Sequence, residues 1–517
     1  MYIIIKHNCY INKNNIKLLL HTNIIKMTSL KEKSKYSSKI KIYDNSDKYW
    51  DKMWSKIDES EESIFIITYC MDNQFVANYT FIKLIKALER KVPVVLMIED
   101  INYYPDDKLL EDFENKGGII VKPNKLKNIT KHTFKGRIHK FFNRSHQKLY
   151  LIDKNLFIGS ANLAKEYTDY NYGDFSFYDL NMYIRDTVTY KKCLSLFQRL
   201  LIENFEEIRY SNLVNYQYIA NNIFKKYLLS TYDKEIDKII VNNYHNFIQN
   251  KTTVNNKEDY NCDLIKKKVT DNIIENYKLN NVDNIFDYSY NENNNVYNEL
   301  FLEEKPPELD EIQNIIYLMI EKAEKQITII QPYYLRIKKL DDLLIKAKKR
   351  GVDVNIITAY NRDQPAYKHL YNAELFSHLI KENITVKEYM HKYIHMKAYY
   401  IDNKHLTIGS MNNDITSFLL NNEANYFISK NKNNYEAFNK IDSIIENLNK
   451  DSRIVNNYYN YDIFEYEHVN NNNNTVLQQY KNKYYNYNFN LFRYISNKWW
   501  YFFVLCMEKS VYNRKID

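Results

Sequence analysis

The chain repeats one polar phrase. His146-Gln-Lys148-Leu-Tyr-Leu-Ile-Asp153, followed by Gly159-Ser160-Ala-Asn162, returns as His395-Met-Lys397-Ala-Tyr-Tyr-Ile-Asp402, followed by Gly409-Ser410-Met-Asn412. With only 12 His and 7 Gly in 517 residues, composition does not produce this pattern twice by chance. A repeat of polar letters, rather than of core letters, requires a duplicated unit whose copies are brought together at one place.

Local patterning defines that unit. Residues two apart on a strand share a face, so His146 projects with Lys148 and His395 with Lys397. The apolar run after each Lys, the Asp and the Gly-Ser turn read as a β-hairpin. Upstream, Trp50, Met53, Trp54 and Ile57 fall at helical spacing, residues 63–69 read as a buried strand, residues 81–88 as a helix and residues 93–98 as a second strand. The second half repeats the plan, with helix 315–325, strand 326–330, helix 340–350 and strand 352–358. Strand and helix in alternation indicate α/β layers. The expected organisation is a tail over residues 1–40, a first lobe over 41–205, an Asn/Tyr-rich insertion over 206–305, a second lobe over 306–450 and an Asn-rich tail over 451–517.

The formal charge is +9, with 73 basic and 64 acidic side chains, which suits an anionic partner such as a phospholipid headgroup or nucleic acid, or reflects Lys bias. Five scattered Cys without a C-x-x-C pair argue against a disulfide scaffold or a zinc site. The first 31 residues carry five Lys and no acid, the pattern of a mitochondrial targeting segment or of a Lys-rich tail. No segment reaches the roughly 20 apolar residues a spanning helix needs. Residues 499–507, Trp-Trp-Tyr-Phe-Phe-Val-Leu-Cys-Met between Lys498 and Lys509, fit an interfacial anchor or a terminal helix packed on the core.

The doubled phrase carries chemistry. Two His, two Lys, two Ser and two Asn converging on one volume suit the oxyanion of phosphoryl transfer, with no metal and no cofactor. One His attacks phosphorus to form a phosphohistidine, and the other protonates the leaving oxygen and then activates the incoming nucleophile. Lys148 and Lys397 hold the non-bridging oxygens, with Ser160, Ser410, Asn162 and Asn412 adding hydrogen bonds. Symmetry alone does not say which His is the nucleophile.

These residues resemble the phospholipase D superfamily, whose signature is two H-x-K-x4-D motifs with Gly-Ser following. The resemblance implies two α-β-α sandwich lobes packed as an internal pseudo-dimer, with the active site between them. The first copy departs from the second by one residue, with five residues between Asp153 and Gly159 and six between Asp402 and Gly409. Within the superfamily, Asn143-Arg-Ser-His-Gln-Lys148, Tyr178-Asp-Leu-Asn181, Gln331-Pro-Tyr-Tyr334 and Asn421-Asn-Glu-Ala-Asn425 are similar to segments of the bacterial-type cardiolipin synthases. The resemblance nominates His146 as nucleophile and His395 as acid and base. It also nominates Asp179 and Glu423 as the acids that hydrogen-bond a catalytic His and fix its tautomer. Asp153 and Asp402 complete the motif set and are expected to support the hairpins rather than perform chemistry.

The expected function is a phosphatidyltransferase that makes cardiolipin from phosphatidylglycerol and a phosphatidyl donor, CDP-diacylglycerol among them, at a membrane surface, in a mitochondrial setting. Phosphatidylglycerophosphate synthesis and phospholipase D hydrolysis use the same catalytic letters. A nuclease ranks lower, because the surplus Lys and Tyr are spread along the chain, so nucleic acid is not the expected partner.

Overall fold

The computed structural model describes residues 39–99, 106–123, 143–170, 176–204, 208, 210–228, 267, 270–271, 273–275, 299–306, 308–359 and 374–455. The targeting-like N-terminus, most of the insertion and the aromatic segment 499–507 lie outside the described residues.

The first lobe runs β1 (Lys39–Tyr43), α1 (Ser46–Asp58), β2 (Ile64–Thr68), α2 (Phe75–Glu89), β3 (Val94–Ile98), α3 (Asp107–Asn115), β4 (Ile119–Val121), β5 (Leu149–Ile152), β6 (Asn155–Gly159), β7 (Asn181–Arg185), α4 (Thr187–Glu203) and α5 (Leu213–Ile219). The second runs β8 (Glu299–Lys305), β9 (Leu309–Asp310), α6 (Glu311–Lys322), β10 (Gln326–Gln331), α7 (Lys338–Lys349), β11 (Asp353–Ala359), α8 (Glu374–Lys381), β12 (Thr385–Tyr389), β13 (Ala398–Ile401), β14 (His405–Gly409), α9 (Ile415–Leu419), β15 (Glu423–Ser429), α10 (Tyr435–Lys450) and β16 (Ser452–Ile454).

The sheets have orders β1-β7-β6-β5-β2-β3-β4 and β16-β12-β11-β10-β13-β14-β15-β8-β9. Read from opposite ends they superimpose strand for strand, from β1 with β8 to β4 with β12. In both, the motif hairpin is antiparallel to a strand that itself begins a parallel run. The expected pair of α/β lobes is therefore present as two copies of one mixed sheet.

Period-two and period-3.6 burial explains the layering. Trp50, Met53, Trp54 and Ile57 line one face of α1 and pack with Phe81, Leu84 and Leu88 of α2 on the outer face of the first sheet. Ile312, Ile316, Leu340 and Leu344 do the same for the second. The inner faces share one core, in which Ile158 and Met182 join Ile408, Ala424 and Tyr426. A core continuous across the halves holds the lobes together, and burial of each Ile or Met side chain in it contributes about 1.5–3 kcal/mol.

Four expected boundaries shift. Lys39 and Ile40, assigned to the tail, begin β1, which pairs with β7. Residues 299–305, assigned to the insertion, form β8 against β15, and residues 210–227 are helical, with Tyr216, Ile219 and Phe224 in the shared core. Ser452–Ile454, beyond the expected lobe, add β16 beside β12. The three strand segments are short or charge-rich, and their strand character comes from a tertiary partner.

The one-residue difference between the motif copies is absorbed in the hairpin turns. Ile152 pairs with Asn155 across a two-residue loop, and Ile401 with His405 across a three-residue loop. Positive φ at Asp153 (49°), and at Asp402 (56°) and Asn403 (55°), makes the turns. The strands beyond them keep the same register toward Gly159 and Gly409.

Candidate active site

Each motif begins where its strand emerges beside the other lobe. In front of β5, the His146 amide donates to the Asn422 carbonyl (2.9 Å) and the Asn422 amide to the Arg144 carbonyl (2.8 Å). In front of β13, the His395 amide donates to the Tyr178 carbonyl (2.9 Å) and the Tyr178 amide to the Tyr393 carbonyl (2.8 Å). These two bridges, Ser145 with Asn422 and Tyr178 with Ile394, are equivalent under the internal symmetry. They put each acid, one residue on, against the histidine of the opposite lobe.

His146 Nδ1 lies 2.9 Å from Glu423 Oε1 and 3.0 Å from Oε2, and His395 Nδ1 lies 2.9 Å from Asp179 Oδ1. All four side chains are buried. A carboxylate at Nδ1 accepts the N–H there, which leaves the lone pair on Nε2. Burial lowers the His146 pKa, with Lys148 acting in the same direction against the opposing pull of Glu423. Burial, reinforced by Lys397, pushes His395 down to about 3. Both imidazoles are thus neutral near pH 7.

The lysines are buried beside them. Lys148 Nζ donates to the His146 carbonyl (2.6 Å), and Lys397 Nζ to the His395 carbonyl (2.7 Å). Burial brings Lys148 down to about 8. Here the copies differ, because Lys397 Nζ also lies 2.9 Å from His395 Nε2, whereas no described residue hydrogen-bonds His146 Nε2. The surroundings differ too. Tyr167, Phe177 and Tyr393 ring His395, and the Tyr69 ring meets His146 edge-on at 4.7 Å.

The serines hold the acids rather than the open space. Ser160 Oγ donates to Asp179 Oδ1 (2.6 Å) and Ser410 Oγ to Glu423 Oε2 (2.5 Å), while Ser417 Oγ donates to Glu423 Oε1 (2.7 Å). Each hydroxyl has a single proton, so the expected hydrogen bonds from Ser160 and Ser410 to a phosphate are replaced by support of the carboxylates. Asn162 Nδ2 donates to Tyr167 Oη (2.8 Å), and the buried Oδ1 atoms of Asn162 and Asn412 find no partner among the described residues.

Asp153 and Asp402, placed in the motif set, sit at the opposite ends of their strands from the histidines. Asp153 accepts from the amides of Glu61, Glu62 and Ser63, and Asp402 from those of Glu324, Lys325 and Gln326. Each lies seven residue steps along the chain from its His, roughly 23 Å at strand rise. They brace the entry to β2 and β10.

Sequence reasoning gave no role to Asn181 and Asn425. Asn181 Oδ1 accepts from the amides of Ser160 and Ala161 (3.1 Å each), and Asn425 Oδ1 from that of Met411 (3.3 Å). They shape the turn after each Gly-Ser. A Cβ on Gly159 would lie 2.3 Å from Asn181 Oδ1, and one on Gly409 2.2 Å from the Ala424 carbonyl, so both positions require glycine. The signal was present, since acid-x-Asn recurs as Asp179-Leu-Asn181 and Glu423-Ala-Asn425. Glu99 was also missed; it is buried and accepts from the Ser145 amide (2.6 Å) and Arg144 Nη1 (3.3 Å), steadying the approach to His146.

Residues 53–201 and 316–448, more than half of the chain, match the family model described as "Cardiolipin synthase, PLD-like domain". The chain belongs to the phospholipase D superfamily. Among its relatives in this family, the minor cardiolipin synthase ClsB of Bacillus subtilis is 32% identical over 109 residues, 21% of this chain and 27% of that protein. A cardiolipin synthase of Clostridium perfringens is 24% identical over 428 residues, 80% of this chain and 73% of that one. The matches to the first curated relatives span about a quarter of their length. Phosphatidylserine synthase of Haemophilus influenzae shares the fold, with a TM-score of 0.56 at 12% identity over 81% of this chain and 88% of that one. The two matched segments are the two lobes whose junction holds the superfamily's doubled motif.

Proposed function

We propose that this chain is a cardiolipin synthase-like phosphatidyltransferase working through a phosphohistidine. The observation that carries this reading is the pair of imidazoles, each held at Nδ1 by the opposite lobe's carboxylate, with Lys148 and Lys397 buried beside them. The asymmetry at Nε2 favours His146 as nucleophile, because its lone pair has no described partner while that of His395 already faces Lys397.

A phosphodiester entering between the two lysines draws their ammonium groups onto its non-bridging oxygens. Its negative charge also raises the proton affinity of His395, whose Nε2, released from Lys397, takes up a proton from solvent. His146 Nε2 then forms the N–P bond as the P–O bond to the leaving group breaks, and His395 delivers its proton to the leaving oxygen. In the second half, His395 takes the proton of an incoming hydroxyl, whose oxygen forms the new P–O bond as N–P breaks. With phosphatidylglycerol as acceptor the product is cardiolipin.

The test incubates purified protein with phosphatidylglycerol, with and without CDP-diacylglycerol, and follows lipids by mass spectrometry. Cardiolipin in either mixture supports the reading. Absence of cardiolipin from both overturns it, and phosphatidic acid in its place identifies a hydrolase built on the same site.

A further inference from the structure

The internal symmetry places two exposed patches on either side of the site. Met71, just past β2, bridges to Leu163, and Tyr334, just past β10, bridges to Asn413. Leu163 and Asn413 each follow the Asn of a Gly-Ser-x-Asn turn, so the two bridges are equivalent and both border the catalytic motifs. Four residues beyond each bridge a helix begins, α2 at Phe75 and α7 at Lys338. The two helix starts thus flank the site as counterparts, yet their surfaces differ.

On the first lobe the surface is aromatic. Phe75, Tyr79 and Ile82 follow the i, i+4, i+7 stripe of α2, and Tyr170 joins them with its ring 5.5 Å from that of Phe75. Phe75 is 38% exposed, Ile82 40% and Tyr170 48%, so this stripe faces solvent although α2 already buries its other side. Tyr170 is three residues from Tyr167, whose ring packs on His395, a chain distance of about 10 Å at most. On the second lobe the surface is basic. Arg336, Lys338 and Lys339 are exposed at the start of α7, with Lys346, Lys349 and Arg350 exposed toward its end. Asp342 offsets Lys338 (2.7 Å), Asp341 lies 3.8 Å from Arg336, and Glu382 lies 3.4 Å from Lys349, while Lys339 stacks over Tyr317; the six cations outnumber these three acids.

We infer that Phe75, Tyr79, Ile82 and Tyr170 of the first lobe, with Arg336, Lys338 and Lys339 of the second, form a docking surface for an anionic phospholipid bilayer around the active-site mouth. Tyr favours the headgroup level, where an apolar ring body meets a wet tip, Phe and Ile bury apolar surface at the acyl boundary below it, and lysines near such a surface gain from its negative potential. Among the described residues no helix is long and apolar enough to cross a membrane. The inference rests on the lipid reading above, because a bilayer at this place delivers its headgroups to the two histidines.

The test floats the full-length chain with vesicles of phosphatidylcholine alone or mixed with phosphatidylglycerol. Wild type is expected to bind the mixed vesicles and to release as salt rises. K338A/K339A is expected to weaken that binding on the order of twentyfold. F75S/Y170S is expected to weaken it on the order of tenfold, with the loss persisting at high salt. Unchanged binding by both double variants, with thermal unfolding showing each folded, overturns the inference. So does a self-association that both abolish while vesicle binding persists. Turnover of a water-soluble short-chain phosphatidylglycerol separates the two ideas. Variants that keep it but lose vesicle binding support the docking surface, and a wild type that binds through these residues but turns over no lipid refutes only the proposed function.

Discussion

His146 Nδ1 lies 2.9 Å from Glu423 Oε1, across 277 residues of chain and the junction of the two lobes. Asp179 and His395 make the reciprocal pair across 216 residues. Neither lobe therefore contains a complete histidine-acid unit. Exchanging Glu423 for Gln keeps the volume but presents an amide that no longer selects the Nδ1–H tautomer. Glu423→Gln is expected to lower kcat by about 10³- to 10⁴-fold with native circular dichroism. A loss under tenfold would show that the carboxylate does not set the imidazole.

The difference at Nε2 predicts where the covalent intermediate forms. Quenched reactions of wild type with a phosphatidyl donor are expected to leave lipid phosphate on the peptide containing His146 and none on that containing His395. His395→Ala is expected to slow turnover by at least about 10²-fold, the usual worth of a general acid and base. Adduct on His395, or label that persists in His146→Ala, would reverse the assignment.

The hairpins, the buried β2, β3, β10 and β11, and the helices carrying Trp50 and Ile316 were legible because apolar period and turn chemistry are local. The crossed acids were legible as residues but not as a crossing, since which lobe each reaches depends on the bridges at Ser145 and Tyr178. The one element misplaced in both halves is the leading strand, β1 and its counterpart β8. Lys39-Ile-Lys-Ile-Tyr43 buries only its last two residues, and Glu299-Leu-Phe-Leu-Glu-Glu-Lys305 carries three acids. Glu303 and Glu304 are buried there because Arg199 and Gln313 reach them from α4 and α6, and no local pattern announces such partners.

The buried lysine fixes an alkaline limit. Lys148 is pushed down to about 8, chiefly by burial, and only its charged form can hold a phosphate oxygen. The charged fraction is lost as pH rises through that value, so kcat/KM is expected to fall above about pH 8. In Lys148→Arg the cation persists, and whatever activity remains is expected to show no fall in that range. An identical alkaline limb in the variant would assign it to another group.

The same burial ties stability to acid. His395 titrates at about 3 in the folded chain against about 6.5 when unfolded, so between these values the unfolded chain holds the proton. Stability is complete above about 6.5 and is lost as pH falls toward 3, by a few kcal/mol in all. His405, pushed down to about 4 by burial, adds in the same direction. His395→Asn is expected to flatten, without abolishing, the decline of Tm between pH 6.5 and 4; an unaltered slope would remove His395 from the acid sensitivity.

Asp402 separates the motif's spelling from its chemistry. Its carboxylate accepts from three consecutive amides, Glu324, Lys325 and Gln326, at 2.9, 2.7 and 2.9 Å, where the chain turns into β10. Its backbone holds φ at 56°, a conformation that Asp tolerates better than most residues. Asp402→Ala removes the acceptor and disfavours that turn, which is expected to cost about 2–4 kcal/mol of stability. Asn keeps one carbonyl oxygen and the left-handed preference, so Asp402→Asn is expected to recover about half of the loss. Since β10 runs the whole way between Asp402 and the edge that carries His395, kcat per folded molecule is expected to change less than threefold in either variant. Denaturant melts with active-site titration would check both numbers, and a kcat loss that outlasts correction for folded protein would return Asp402 to the catalytic set.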